Sequence, residues 1–434
     1  MATIAAEPAV FGRFIPLLLA LTASCVSGSV PSTERPARAP SPIPRPPAEP
    51  FRQDPEIRIG LVVGASRLSI AGAEGLAVSE PDGSRVTSVA PDQIWQIVPV
   101  GERLALVSPT GWVSPSFDAL VLRASGPSAP VQINGKLYRG TADVLRDPAG
   151  MTVVNRLGME AYVQGVVSAE MGRRSYNEQA ALEAQAVVSR TYAVRNMGRW
   201  RAQGFDLTAT VSDQVYGGVL AETTEGRAAV AATRGLILTY NGAPAEAFFY
   251  STCGGRTASG VEVFRGAAQP YLRSIADQDE RGVPYCSISP RYRWHEEWSD
   301  QSLQATLERN LPPVTGIRPE QVRPVRDIRI ARRTASGRVD EVAIALGGPE
   351  VRVAGPAIRQ VLRPANGQLL RSNAFTLAAA GSGSRVSHLT IEGMGSGHGV
   401  GFCQWGAVGR ARAGQGYAQI LAAYFPGTGV GRRY

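Results

Sequence analysis

The hydrophobic period of this chain changes near residue 159, and that change constrains the fold more than any other feature. From about residue 55 to 150, short apolar runs are separated by Gly, Pro and Asp-Gly turns. Ile57–Val63, Leu68–Ile70, Ile94–Val100, Leu104–Val107 and Val131–Ile133 read as strands. Thr152–Leu157 is a further strand. The apolar spacing then becomes helical, predicting helices over about 159–171 and 177–198. Mixed strands and loops follow to about 290. Val325–Ile330, Val339–Ile344, Val351–Val353 and Val386–Ile391 are strand-like, and helices are expected at about 404–413 and 416–425. The expected class is α+β, with a β-rich amino-terminal part followed by a mixed body.

With 434 residues, 44% hydrophobic and 19% charged, the chain has ample material for a core. No apolar run reaches the ~20 residues of a membrane span. The formal charge is +9, almost all of it Arg, and this favours an acidic polymer as partner. Residues 1–25 read as an export signal: Arg13, then Phe14–Leu21, then Thr22-Ala23-Ser24-Cys25. Cys25 is a candidate lipidation site, which would make a lipid anchor the only membrane contact. Export argues against nucleic acid and leaves envelope polymers, with the periplasm or cell envelope as the compartment. Residues 26–52 are rich in Pro and read as a disordered, extended tether of roughly 3 Å per residue.

On the first helix, Val163, Val166, Val167, Glu170 and Met171 share one face. Glu170 therefore lies on the apolar stripe and near the helix C-terminus, where the dipole disfavours an anion. Both effects raise a carboxyl pKa and suit a general acid. The alternative is a core-edge Glu paired with Arg173 or Arg190. On the second helix Ala184, Val187, Val188 and Thr191 form a small-residue face, and Gln185 and Arg190 are candidate ligand contacts.

Tyr162–Met171 followed by Glu183–Tyr192 (E-A-Q-A-V-V-S-R-T-Y) resembles the SpoIID/LytB family. Ser212–Gly218, Ala228–Leu238, Ser251–Gly255, Pro270–Ser274 and Gly397–Ala407 agree in order and spacing. The resemblance covers roughly 140–430. It implies domains of 53–140 (β-rich) and 141–434 (catalytic). It also implies a lytic transglycosylase acting on peptidoglycan strands that lack stem peptides, or a wall-binding protein that assists an N-acetylmuramoyl-L-alanine amidase. Glu170 stands where the family has its catalytic Glu in an E-M-P segment; Gly172 replaces the Pro. The matching segments make Tyr192, Asp213, Gln214, Tyr216, Ser251, His398 and Gln404 candidate sugar contacts, with Gln185 and Arg190.

The chemistry requires no cofactor. In an exported chain Cys253–Cys286 reads first as a disulfide, leaving Cys403 alone. A zinc site of Cys253, Cys286, Cys403 and His398 is a second reading. Some family members hold zinc with Cys and His near this segment, but Tyr250 and Arg256 stand where His would be expected. A third reading makes Cys403 a nucleophile with His398 or His388 as base.

Overall fold

The computed structural model describes residues 53–434 apart from 265–267 and 383. The expected export segment, Cys25 and the tether lie outside the described residues. The fold is α+β. A seven-stranded sheet runs in the order Leu207–Thr208, Glu56–Ala65, Gly150–Gly158, Thr141–Asp147, Ala119–Ala124, Leu76–Ser79, Arg85–Val89. A five-stranded sheet follows the order Arg103–Val107, Trp95–Val100, Leu68–Ala71, Val131–Ile133, Lys136–Tyr138.

Glu56–Ala65 pairs antiparallel with Gly150–Gly158, setting Ile57 opposite Leu157 and Ile59 opposite Asn155. Strand Gly150–Gly158 is buried along both faces from Gly150 to Asn155, which explains its nearly continuous apolar run. Asn155 is the polar exception. Its amide donates to Arg139 O and Thr141 O (2.8 and 2.9 Å), and its oxygen accepts from Tyr216. A buried polar group with every partner supplied offsets its desolvation cost and fixes register.

Gly150–Gly158 leads directly into helix α1 (Met159–Met171), which packs on helix α2 (Gln179–Asn196). In α2 every residue from Ala184 to Ala193 is buried, so its small side chains are the condition for close packing on all sides. On α1, a side chain at Gly165 would meet the Tyr216 ring at 2.5 Å, so only glycine lets that ring lie across the helix.

One hydrophobic core includes the sheets, both helices and the chain from Val400 to Phe425. The 140/141 boundary expected from the sequence does not divide it, because the amino-terminal strands pack with α1 and α2. A second core, Trp294 to Ile391, belongs to an insertion. It is built from the sheets Arg293–Ser299/Val386–Met394/Phe375–Gly381 and Asp327–Arg333/Val339–Ala345/Glu350–Ala354, with helix Asp300–Thr315. Arginines here face carboxylates: Arg329–Glu350 at 2.7 Å, Arg332–Asp340 at 2.6 Å and Arg352–Glu341 at 2.7 Å. These three arginines are therefore paired on the sheet itself. Such exposed pairs are worth ~0–1 kcal/mol each. Among the described residues no helix is long and apolar enough to cross a membrane.

Candidate active site

Glu170 is the penultimate residue of α1 and is half-buried. Oε1 accepts the Val215 backbone N–H at 2.8 Å, and Oε2 accepts the Gln404 amide at 3.2 Å. Among the described residues it has no ion-pair partner, so the expected alternative of an Arg173 or Arg190 pair does not form. Burial pushes its carboxyl pKa up, and the two neutral donors only partly offset this. Gly172 ends the helix with φ +68°. Proline is fixed near −65° and cannot take that exit. The glycine at 172, where the resemblance implies Pro, thus permits this turn after Met171, with Glu170 on the last helical turn.

The Ser212–Gly218 segment is anchored inward by its side chains and places one backbone N–H on Glu170. Asp213 accepts from Tyr192 (3.0 Å), Arg199 (3.1 Å), Trp200 (2.8 Å) and both the N–H and hydroxyl of Thr208 (2.8 and 2.9 Å). Gln214 bridges the Tyr162 hydroxyl and Ser189 O. Tyr216 reaches Asn155 at 3.1 Å. With residues 213, 214 and 216 anchored inward, Val215 N–H is held on Glu170. The expectation that Tyr192, Asp213, Gln214 and Tyr216 contact sugar is corrected: all four are buried and their polar groups are engaged.

Arg190 is likewise not a ligand contact. It is fully buried and bidentate on Glu160 (2.7 and 2.8 Å), and it also donates to Leu236 O. Gly235 N–H and the Tyr434 hydroxyl complete the Glu160 shell. Gln185 is fully buried; it donates to Ser189 and its oxygen faces the Gln404 amide at 3.5 Å. It supports Gln404 from behind. Ser251 offers its carbonyl to Trp405 N–H at 3.0 Å, which makes it a support as well.

His398 is enclosed, and both of its ring nitrogens face backbone groups. Its Nε2 faces Phe249 O at 2.9 Å and its Nδ1 accepts Val400 N–H at 3.1 Å. The rings of Phe248, Tyr250 and Phe264 surround it. Burial brings its pKa down to about 4. His388 faces Glu297 on the insertion, so neither histidine partners Cys403.

Two residues at the site escaped sequence reasoning. Trp405 is half-buried directly after Gln404, and the Arg174 guanidinium lies 4.4 Å from its ring centroid. Arg174 Nε is buried with no hydrogen-bond partner. The aromatic was legible within the Gln404–Trp405–Gly406 motif. Arg174 carried no signal beyond its place four residues after Glu170.

The disulfide expectation is also corrected. Cys253 and Cys286 Sγ are 3.3 Å apart and unbonded, against a bond length of about 2.05 Å. Cys403 is not alone; it shares their pocket with Asp277. The Cys–His zinc arrangement does not fit this chain, since Tyr250 is enclosed, Arg256 is exposed and His398 is committed elsewhere.

The fold is α+β, and the candidate site presents Glu170, a half-buried carboxyl with neutral hydrogen-bond partners. The Stage II sporulation protein (SpoIID) profile matches residues 148–240, which hold α1, α2 and the segment that holds Glu170. A domain of unknown function, DUF8618, matches residues 286–401, close to the bounds of the second core. An uncharacterised protein of Brachyspira hyodysenteriae is 32% identical over 301 residues, 69% of this chain and 73% of that protein. The Stage II sporulation protein D of Bacillus amyloliquefaciens is 30% identical over 292 residues, 64% of this chain and 75% of its own length. The Amidase enhancer of Bacillus subtilis is 27% identical over 332 residues, 69% of this chain but 44% of that protein. The chain belongs to the SpoIID/LytB family.

Proposed function

We propose that this protein acts on the cell wall as a lytic transglycosylase, cleaving MurNAc–GlcNAc bonds of glycan strands that lack stem peptides. The observation that carries this reading is Glu170: a desolvated carboxyl with neutral donors and, among the described residues, no ion-pair partner. Burial favours the protonated form of this carboxyl, and that form can donate to the glycosidic oxygen. The muramyl 6-hydroxyl then attacks C1 and returns its proton to Glu170. The C1–O bond to the leaving sugar breaks, a C1–O6 bond forms and no water is consumed. One carboxyl suffices, where hydrolytic glycosidases use two. Export through the amino-terminal segment, with lipid attachment at Cys25, is part of the same proposal.

Trp405 and Arg174 would receive the sugar face and the lactyl carboxylate. Trp405→Ala is expected to weaken strand binding by about 1–2 kcal/mol, roughly tenfold in Kd, read by co-sedimentation with denuded sacculi. Gln404 favours the ionised form of Glu170 through its amide. Gln404→Met is therefore expected to move the alkaline limb of kcat/KM to higher pH. An unmoved limb would remove Gln404 from the acid's surroundings.

The similarity to a protein named Amidase enhancer favours a second reading, binding of wall strands in support of an amidase. The test is incubation of the full chain with sacculi stripped of stem peptides. Release of soluble glycan supports the enzyme. Binding without release, with stimulation of an added amidase, supports the second reading.

A further inference from the structure

We infer that Cys253, Cys286, Cys403 and Asp277 form a closed site for a single zinc ion. The four come from separate pieces of chain: the Ser251–Gly255 loop, the segment after Ile275, the turn Tyr285–Ile288 and the residue capping helix Gln404–Arg412. All four are buried, and their ligand atoms lie within 4.8 Å of one another. Cys253 Sγ is 3.3 Å from Cys286 Sγ and 3.2 Å from Asp277 Oδ2. A tetrahedral zinc with Zn–S near 2.3 Å has ligand–ligand edges of roughly 3.5–3.8 Å, so small adjustments close the site.

The surroundings place backbone N–H donors against the sulfurs. Cys403 Sγ accepts N–H from Cys253 (3.1 Å) and Gly406 (3.3 Å), and Cys253 Sγ accepts from Gly255 (3.3 Å). Cys253 and Cys403 thus face backbone donors, which orient metal-bound sulfur and balance its charge. Asp277 is oriented in turn. Arg410 holds Oδ1 through two nitrogens (3.0 and 2.9 Å), and the Tyr424 hydroxyl donates to Oδ2 at 2.8 Å. A side chain at Gly406 would stand 2.2 Å from Asp277 Oδ2 and 3.1 Å from Cys403 Sγ, so glycine keeps this space clear.

Four protein ligands leave no open position, so the ion is structural. Its place matters because Cys403 immediately precedes Gln404. Tying Cys403 to three other segments fixes the start of the helix that carries Gln404 to Glu170 and Trp405 to Arg174. The ligand set differs from the Cys–His arrangement that the resemblance suggested: it replaces histidine with Asp277 and draws Cys403 from the opposite end of the domain.

The test is metal analysis of the full chain purified under reducing conditions, followed by exchange of the metal for cobalt(II). One zinc per chain and a thiolate-to-cobalt charge-transfer band are expected. Cys25→Ser should keep both, whereas Cys286→Ser and Asp277→Asn should weaken cobalt binding ~10-fold or more. Should these variants fail to fold, the unsubstituted chain still decides. No bound metal and no charge-transfer band on cobalt titration would overturn the site, as would a Cys253–Cys286 disulfide found by mass spectrometry in the freshly isolated chain.

Discussion

Glu170→Gln is expected to lower turnover on peptide-free strands by on the order of 10²–10⁴ while leaving the fold intact, since an amide cannot donate or recover the proton. The substitution is nearly isosteric and keeps an acceptor for Val215 N–H. Its effect on stability has a definite sign. Burial raises the folded pKa of Glu170 above the unfolded value. Between those two values the native state binds the extra proton, so stability falls as pH rises through that window. Gln carries no such penalty. The variant should unfold at equal or higher denaturant than wild type at pH 7, and the difference should vanish below the ordinary carboxylate range. Loss of activity together with lower stability at pH 7 would instead mark Glu170 as a structural residue.

Arg190→Leu is expected to cost about 3–5 kcal/mol, the cost of leaving a buried carboxylate without its cation. The pair is almost sealed, with side-chain exposures of 0% and 6% for Arg190 and Glu160. It joins α2 to α1, and through Gly235 and Tyr434 it reaches the chain terminus. Adding Glu160→Gln should recover part of the loss, because the orphaned group is then neutral. Chemical denaturation of the three variants measures this. A cost under 1 kcal/mol for Arg190→Leu would show that the pair contributes little to holding the helices together.

The helices were legible because their apolar period is unambiguous, and α1 runs from 159 to 171 as the spacing indicates. Glu170 was legible for the same reason: a carboxylate on a stripe of Val163, Val166 and Val167 is an anomaly that asks for chemistry. Helix Asp300–Thr315 was not recognised. Its last turns hold Pro312 and Pro313, which interrupt the helical signal, although Ser299 caps it and Leu303, Leu307 and Leu311 recur at helical spacing. Strands such as Leu76–Ser79 were too short to show alternation.

The polar residues were misread for a deeper reason. Asp213, Gln214 and Tyr216 look like sugar contacts, yet they turn inward and the working group is the intervening backbone N–H of Val215, which has no sequence signature. Arg190 was considered as a partner for Glu170 but pairs with Glu160, a choice set by how α2 sits against α1. The cysteines converge only through tertiary structure, so spacing alone could not bring Asp277 to them.

The measurement that bears most directly on the central claim is mass spectrometry of peptide-free glycan strands after digestion, wild type beside Glu170→Gln. Fragments with 1,6-anhydro ends are expected from wild type and none from the variant. Reducing ends carrying an added water, or equal cleavage by both proteins, would contradict it.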